Sequence, residues 1–367
     1  MKHQLIMMGL TLALTACGGG GDEMGEGAPL QAQGLDLAYA VNTFDHTISS
    51  FTANGATGAL SAVGPALPTG SGPAAVGVHP AGRFVYVANF GGDSVSAYSV
   101  AINDGALTPV GEFAAGDGPR SVTVSRDGRF VYVANDLSDD VSTYAINAAT
   151  GALNAVGLAV ATGTNPRSVV VDPQTRFAWV ANLLSDSVSA YTINALTGAL
   201  SPIGVPVAAG DGPTALGIDP TGRFAYVVNT NDDTVVSYAI DAVTGALSPL
   251  GAPVATGDAP AAVRVHPGGH WLYVANRLSD DVSVYAIDPV SGQLSAVGVP
   301  VTAGDGPQSM GVSPDGRFAY VANATSDDVS SYAIDAGSGA LIAVGPPAPA
   351  GDGPVGIDAT NTSLLLQ

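Results

Sequence analysis

Two arginines, each placed one residue after a proline, are the side chains in this sequence best suited to chemistry. Arg120 follows Pro119 and Arg167 follows Pro166, 47 positions further on. Paired guanidiniums present rigid donor forks that match a carboxylate or a phosphate. The equivalent positions elsewhere hold Ala74, Thr214, Ala261 and Gln308. A second variable position follows a recurrent Asn and holds Thr43, Phe90, Asp136, Leu183, Thr230, Arg277 and Ala324. A site needs unlike groups placed together, so in a repetitive chain it is expected where the repeats disagree. Arg120, Arg167, Arg277 and Gln308, with Asp136, are therefore the candidate anion site. Asp136 or His79 could assist an attacking water. The competing explanation is that the arginines bridge to carboxylates of neighbouring Gly-Asp-Gly-Pro turns.

Other chemical constellations are missing from the sequence. It holds no His/Cys metal cluster, no nucleophile elbow and no phosphate loop. His79 and His266 share a strand-end position occupied elsewhere by Ser125, Asp172, Asp219 and Ser313, whereas His46 and His270 are turn residues. Asp93, Asp139, Asp186, Asp233, Asp280 and Asp327 each lie four residues after the recurrent Asn. A carboxylate in a tight turn accepts backbone N–H bonds, so a structural role is expected of them. The Ser-Asp-Asp runs at Asp139-Asp140, Asp280-Asp281 and Asp327-Asp328 offer hard oxygen ligands to a divalent cation, without the spacing of a calcium loop. No other cofactor is expected.

The elements that position these residues follow from an internal repeat. The motif aromatic-x-Tyr-Val-Ala-Asn ends at Asn42, Asn89, Asn135, Asn182, Asn229, Asn276 and Asn323, a spacing of 46 or 47 residues. Within one unit the pattern predicts strands over Ser121–Ser125 (A), Phe130–Ala134 (B), Val141–Ile146 (C) and from Ala152 onward (D), with turn residues between them. No segment has helical periodicity. The expected fold is all-β: a seven-bladed β-propeller of four-stranded antiparallel blades. The 12 Tyr fall in two columns, three residues before the repeat Asn or nine after it, and Trp179 and Phe51 fill the remaining places. Strand B, apolar on both faces, is expected between neighbouring blades.

The first copy begins at strand B (Leu37–Val41), and the last is followed by a lone strand A, Val355–Asp358. The ring is therefore expected to close by a C-terminal strand completing the N-terminal blade, which leaves no open edge. Leu364–Leu366 is a weaker rival for strand B. In such a meander the B–C and D–A loops share one face. The A–B turns, with Arg83, Arg129, Arg176, Arg223 and Arg317, share the other. A disc acidic on one side and ringed with arginine on the other is predicted.

Bulk composition narrows the partners. The chain has 367 residues and a net charge of −20, with 31 Asp and Glu against 11 Lys and Arg. So acidic a surface repels nucleic acid and favours a monomeric, soluble propeller. The sole cysteine, Cys17, ends an apolar stretch too short to span a bilayer, and Leu14-Thr15-Ala16-Cys17 resembles a bacterial lipobox. The domain reading is a signal peptide over 1–16, a lipidated Cys17 with a flexible tether over 17–34, and the propeller over 35–367. Gly18 is not the Asp that marks inner-membrane retention, so an outer-membrane, extracytoplasmic location is expected. The membrane is then one partner, through the anchor. A protein or a small anionic ligand is the other.

The units Phe-Val-Tyr-Val-Ala-Asn … Asp-Val-Ser-x-Tyr-Ala-Ile … Thr-Gly-Ala-Leu … Gly-Pro resemble the β-propeller lactonase family and the related Tyr-Val-Thr-Asn repeats of bacterial surface proteins. The resemblance spans about residues 35 to 367 and implies the propeller fold. Its named activity is hydrolysis of 6-phosphogluconolactone. The family's lactonases tend to carry His after a strand-A proline and Glu after one repeat Asn. Here Pro119-Arg120 and Pro166-Arg167 match only the Arg, being followed by Ser121 and Ser168, and Thr230 follows Asn229. Two functions are therefore expected: a cell-envelope binding and interaction module or, as the alternative, an extracytoplasmic hydrolase of an anionic lactone or sugar acid.

Overall fold

The computed structural model describes residues 35–362. The signal segment 1–16, Cys17 with the run to residue 34, and Leu364–Leu366 lie outside the described residues. Blades 1 to 7 are numbered by their B strands: Asp36–Asn42, Phe84–Asn89, Phe130–Asn135, Phe177–Asn182, Phe224–Asn229, Trp271–Asn276 and Phe318–Asn323. The inner A strands of blades 2 to 7 are Pro73–Val78, Pro119–Val124, Pro166–Val171, Pro213–Ile218, Pro260–Val265 and Pro307–Val312. Each contacts the next, and Pro354–Asn361 closes the cycle between blades 7 and 2. That last strand pairs antiparallel with Asp36–Asn42, supplying strand A of blade 1 as the sequence implies. It runs three residues beyond Asp358, and Leu35 and Thr362 bond each other to seal the seam. Strand D is broken in five blades: in blade 3, Leu153–Ala155 and Val160–Ala161 both pair with strand C, Asp140–Ile146.

Strand B is buried along its length in blades 2, 3, 4, 5 and 7, consistent with its unbroken run of apolar residues. In blades 2 to 7 the joint is made at its first aromatic residue, and in blade 1 Leu37 takes that place. Phe84 packs against Gly151 in the C–D turn of blade 3, where φ is 77° and an added Cβ would lie 2.4 Å from the ring. The same contact recurs for Phe130 with Gly198, Phe177 with Gly245 and Phe224 with Gly292. Two hydroxyl columns fasten each joint. Tyr132 of strand B donates forward to the Gly198 carbonyl (2.9 Å), and Tyr144 of strand C donates back to the Ala114 carbonyl (2.6 Å). Trp179 replaces the strand-B tyrosine in blade 4 and donates from Nε1 to the Gly245 carbonyl at 2.9 Å.

The arginines of the A–B face belong to the same joint. The guanidiniums of Arg129, Arg176, Arg223 and Arg317 lie 4.8 to 5.1 Å from the centroid of the phenylalanine that follows each. Each also donates to a carbonyl in the next blade's C–D turn: Leu196, Ala242, Pro289 and Gly55 respectively. Three of them also pair with a nearby carboxylate, Asp127, Asp172 or Asp315. The arginine ring is thus a set of blade-to-blade ties partly neutralised in place, so the polarity of the disc comes mainly from the acidic face.

On that acidic face the six B–C aspartates adopt left-handed backbone, with φ between 46° and 58°. Their carboxylates accept backbone N–H bonds from the D–A loop of the same blade, as Asp93 does from Gly118 (2.8 Å) and Asp280 from Gly306 (2.8 Å). Among the described residues no group of three His, Cys, Asp or Glu is placed to hold a metal ion. The repeat Asn is buried beneath the loop: Asn135 donates from Nδ2 to Asp140 and Ser142, and a Cβ on Gly116 would lie 2.6 Å from that Nδ2.

Tyr132 and Tyr320 occupy the same position, yet the Tyr320 hydroxyl is buried with no hydrogen-bond partner among the described residues. Tyr132→Phe leaves the buried Gly198 carbonyl without its donor and is expected to cost about 1–3 kcal/mol. Tyr320→Phe is expected to be neutral or stabilising. Urea denaturation of both variants checks the difference.

Candidate functional site

The seven A strands enclose a central cavity of about 540 Å³ that opens on the acidic face. Its walls are set by alternation along each A strand. The residue third after the proline (Val122, Val169, Met310, Ile357) packs into the joint, while its neighbours look inward. These inward side chains vary from blade to blade, and the chemistry of the cavity wall is decided by them.

At the mouth, blades 3 and 4 place Arg120 and Arg167 side by side. Arg120 lies over the Phe90 ring, 5.3 Å from its centroid, and among the described residues it has no carboxylate within ion-pair distance. Burial and the neighbouring charge of Arg167 push its pKa down, opposed by Asp136. Arg167 is steadied by Asn165, which takes its Nε–H at 2.9 Å, and lies 3.5 Å from Asp136 Oδ2. Asn165 has φ 61° where the matching loops carry Gly118 and Gly212, and its own N–H is held by Asp139. One irregular loop residue thus orients one arginine of the pair. The ion-pair partner of Arg167 is Asp136, and not a Gly-Asp-Gly-Pro carboxylate.

Asp136 is 3% exposed and its Oδ1 has no hydrogen-bond partner among the described residues. Burial raises its pKa above the ordinary carboxylate value, against the opposing pull of Arg167 and then Arg120. Gln308 lines the cavity on blade 7, across the ring from the arginines, whereas Arg277 is not among the lining residues. His79 sits at the far end of its A strand. Its Nδ1 accepts the Ala81 N–H (3.1 Å), which leaves the proton on Nε2 to donate to the Gly128 carbonyl of blade 3 (3.1 Å). His266 repeats that arrangement with Gly268 and Gly316. Both imidazoles tie A–B turns together, and His79 does not meet Asp136.

The cavity also holds two charged residues that were not among the sequence candidates. Arg264 and Asp358 occupy the fourth position after the strand-A proline, where other blades carry Gly77, Thr123, Val170, Gly217 and Gly311. Arg264 donates its Nε–H to the Met310 carbonyl (2.7 Å), and Asp358 Oδ2 accepts the Val78 N–H (3.1 Å). Burial raises the Asp358 pKa, and the charge of Arg264 opposes that rise. The signal was available: charge in a column otherwise made of Gly, Thr and Val.

A ring of seven four-stranded blades around a polar, arginine-lined channel defines the class of protein. Segments 32–170, 159–260 and 253–355 match the family described as "Lactonase, 7-bladed beta-propeller", and the chain belongs to that family. No functionally curated protein matches the chain. Among solved structures, a putative 6-phosphogluconolactonase from Bacteroides fragilis is similar at a TM-score of 0.79 and 22% identity, over 91% of this chain and 99% of that one. A periplasmic gluconolactonase from Pseudomonas aeruginosa is similar at a TM-score of 0.74 and 26% identity, over 89% and 99%. The hydrazine synthase of Kuenenia stuttgartiensis, at a TM-score of 0.61 and 20% identity over 86% and 99%, shares the fold alone.

Asp136 partly neutralises Arg167, so an anion placed at the mouth arginines would meet a rival whose strength depends on its protonation. Its raised pKa means that the proton is taken up as pH falls towards that value, which leaves the arginines less neutralised. Sulfate affinity measured by calorimetry is expected to rise on acidification below neutrality. Asp136→Asn is expected to bind sulfate at neutral pH as tightly as the wild type does in acid.

Proposed function

We propose that this propeller recognises an anionic sugar acid or its lactone at the channel mouth and serves the opening of the lactone ring by water. The observation that carries the reading is the convergence of Arg120 and Arg167 from adjacent blades, with Arg120 free of any carboxylate partner among the described residues. Two donor forks in a partly enclosed site bind a carboxylate or phosphate more strongly than either would in open water. Family membership and the similarity to a periplasmic gluconolactonase support lactones as the substrate class. In the reaction, water adds to the carbonyl carbon, the ring C–O bond breaks, and the proton from water ends on the departing alkoxide. Arginine donors would stabilise the oxyanion formed on the way.

The lipobox-like segment ending at Cys17 supports an extracytoplasmic, lipid-anchored setting, and Gly18 supports the outer membrane. A second reading, a cell-envelope binding module without turnover, draws on two observations. Ser121 and Ser168 stand where the family's lactonases tend to carry an acid/base residue, and Asp136 Oδ1 is shut away from water.

Lactone hydrolysis by residues 34–367 separates the two readings. Turnover above the uncatalysed rate, reduced by at least about 100-fold in an Arg120→Ala/Arg167→Ala variant, is expected if the mouth serves catalysis. Equal and negligible rates for both proteins on phosphorylated, carboxylated and plain lactones would leave the binding module standing.

A further inference from the structure

We propose that Arg264 and Asp358 form a second binding station inside the channel that reads an α-hydroxy-carbonyl group, so that one ligand spans from this pair to the mouth arginines. The proposal rests on the reading of the mouth for the anionic end of that ligand. Nothing in the fold requires charge where these two residues stand. Glycine, valine or threonine serves the same position in the other five blades. Two charges taken out of bulk water carry a desolvation cost that a purely structural pair recovers by closing into contact. This pair does not close. Among the described residues Arg264 and Asp358 make no ion pair within 4.0 Å, although the charge of Arg264 acts on Asp358. Arg264 uses Nε on the Met310 carbonyl, and among the described residues its terminal nitrogens have no protein partner. Asp358 accepts only backbone N–H groups, from Val78 and Ala359.

The layout of the ring supplies the rest. Arg264 belongs to blade 6 and Asp358 to blade 1, and blade 7 between them carries Gly311 at the matching position. A Cβ there would come 3.5 Å from the Asp358 Cα, so the glycine keeps the floor between the two charges low. The pair therefore offers donors on one side and an acceptor on the other across an open gap. A carbonyl or carboxylate oxygen suits the arginine, and the hydroxyl on the next carbon suits the aspartate. Blades 3 and 4, with Arg120 and Arg167, lie across the seven-membered ring from blade 7. The mouth residues stand three positions earlier along their strands, roughly 10 Å at the rise of a β-strand. A sugar acid carrying a phosphate or second carboxylate at its far carbon bridges such a distance with both ends satisfied.

The test is calorimetric titration of the full chain with three probes: 6-phosphogluconate, which has both ends; glycerophosphate, which has only the anionic end; and gluconate, which has only the hydroxy-acid end. The wild type is expected to bind 6-phosphogluconate at least about tenfold more tightly than either single-ended probe. Arg264→Gln and Asp358→Asn are each expected to weaken 6-phosphogluconate by about tenfold while leaving glycerophosphate unchanged. Asp358→Asn is nearly isosteric, and Arg264→Lys keeps the charge without the fork, so a variant that fails to fold does not end the test. Wild-type affinity for 6-phosphogluconate in the interior variants overturns the proposal, as does equal loss for both phosphorylated probes or no binding of any probe by the wild type. Loss of 6-phosphogluconate in the interior variants, with glycerophosphate binding intact in Arg120→Ala/Arg167→Ala, keeps the interior station and rejects the mouth reading instead.

Discussion

The contact of a strand-B aromatic ring with the bare backbone of a left-handed glycine in the next blade fixes the geometry of this molecule. Apolar burial between sheets is favourable at any angle, roughly 1.5–3 kcal/mol per large side chain, and so cannot choose one. The glycine can. An added Cβ on Gly151 would penetrate the ring of Phe84, and the φ of 77° is strained for any other residue. The hydroxyl of Tyr86 then donates to the carbonyl of that same glycine at 3.0 Å, which sets the height of one blade against the next. The joint recurs between successive blades, with Leu37 replacing the ring in blade 1 and the Tyr320 hydroxyl left unbonded, and it holds each blade against the next around the channel.

With the joints occupied by repeat residues, function is left to the inward positions of strand A and the loop residues beside them. Where these side chains bond across blades they use backbone groups, as Arg264 does at Met310 and Asp358 at Val78, so they vary without altering the aromatic joint. Asn165 in place of a loop glycine steadies Arg167, and Arg264 and Asp358 stand in a column of small residues. Arg264 and Asp358 thus add charge to a wall that, apart from the mouth arginines, is backbone, apolar side chains and neutral polar groups such as Ser121, Ser168 and Ser309. The division of labour is physical: regularity holds the walls apart, and irregularity decides what fits between them.

Much of this was legible in the sequence, for a reason particular to repeats. The Asn spacing and the aromatic columns report residues in repeated contacts, so periodicity and contact coincide. The position of Pro354–Asn361 beside Asp36–Asn42 followed from counting strands at the two ends. Side-chain direction was not legible. Arg129 and its equivalents read as a charged rim, whereas they sit over phenylalanine rings and reach the neighbouring blade. His79 follows directly on a cavity-lining strand but points to the turn of blade 3, and neither Arg277 nor Asp136, which share a column, is among the lining residues. Arg264 and Asp358 lie in the interior of strand A, beyond the post-proline position from which the candidates were drawn.

The strand that completes blade 1 leaves the ribosome after all the strands of the other six blades. Six sheets can form in order as the chain emerges, but the first waits for its innermost strand until the other six have been made. Closure is therefore the slow, long-range event of folding, joining Asp36 to Asn361 across nearly the whole sequence. Until then, strand B of blade 1 lacks its inner hydrogen-bonding partner. A chain stopped short of Pro354 would keep six complete sheets and an unsealed edge, the kind of edge that recruits strands from other molecules.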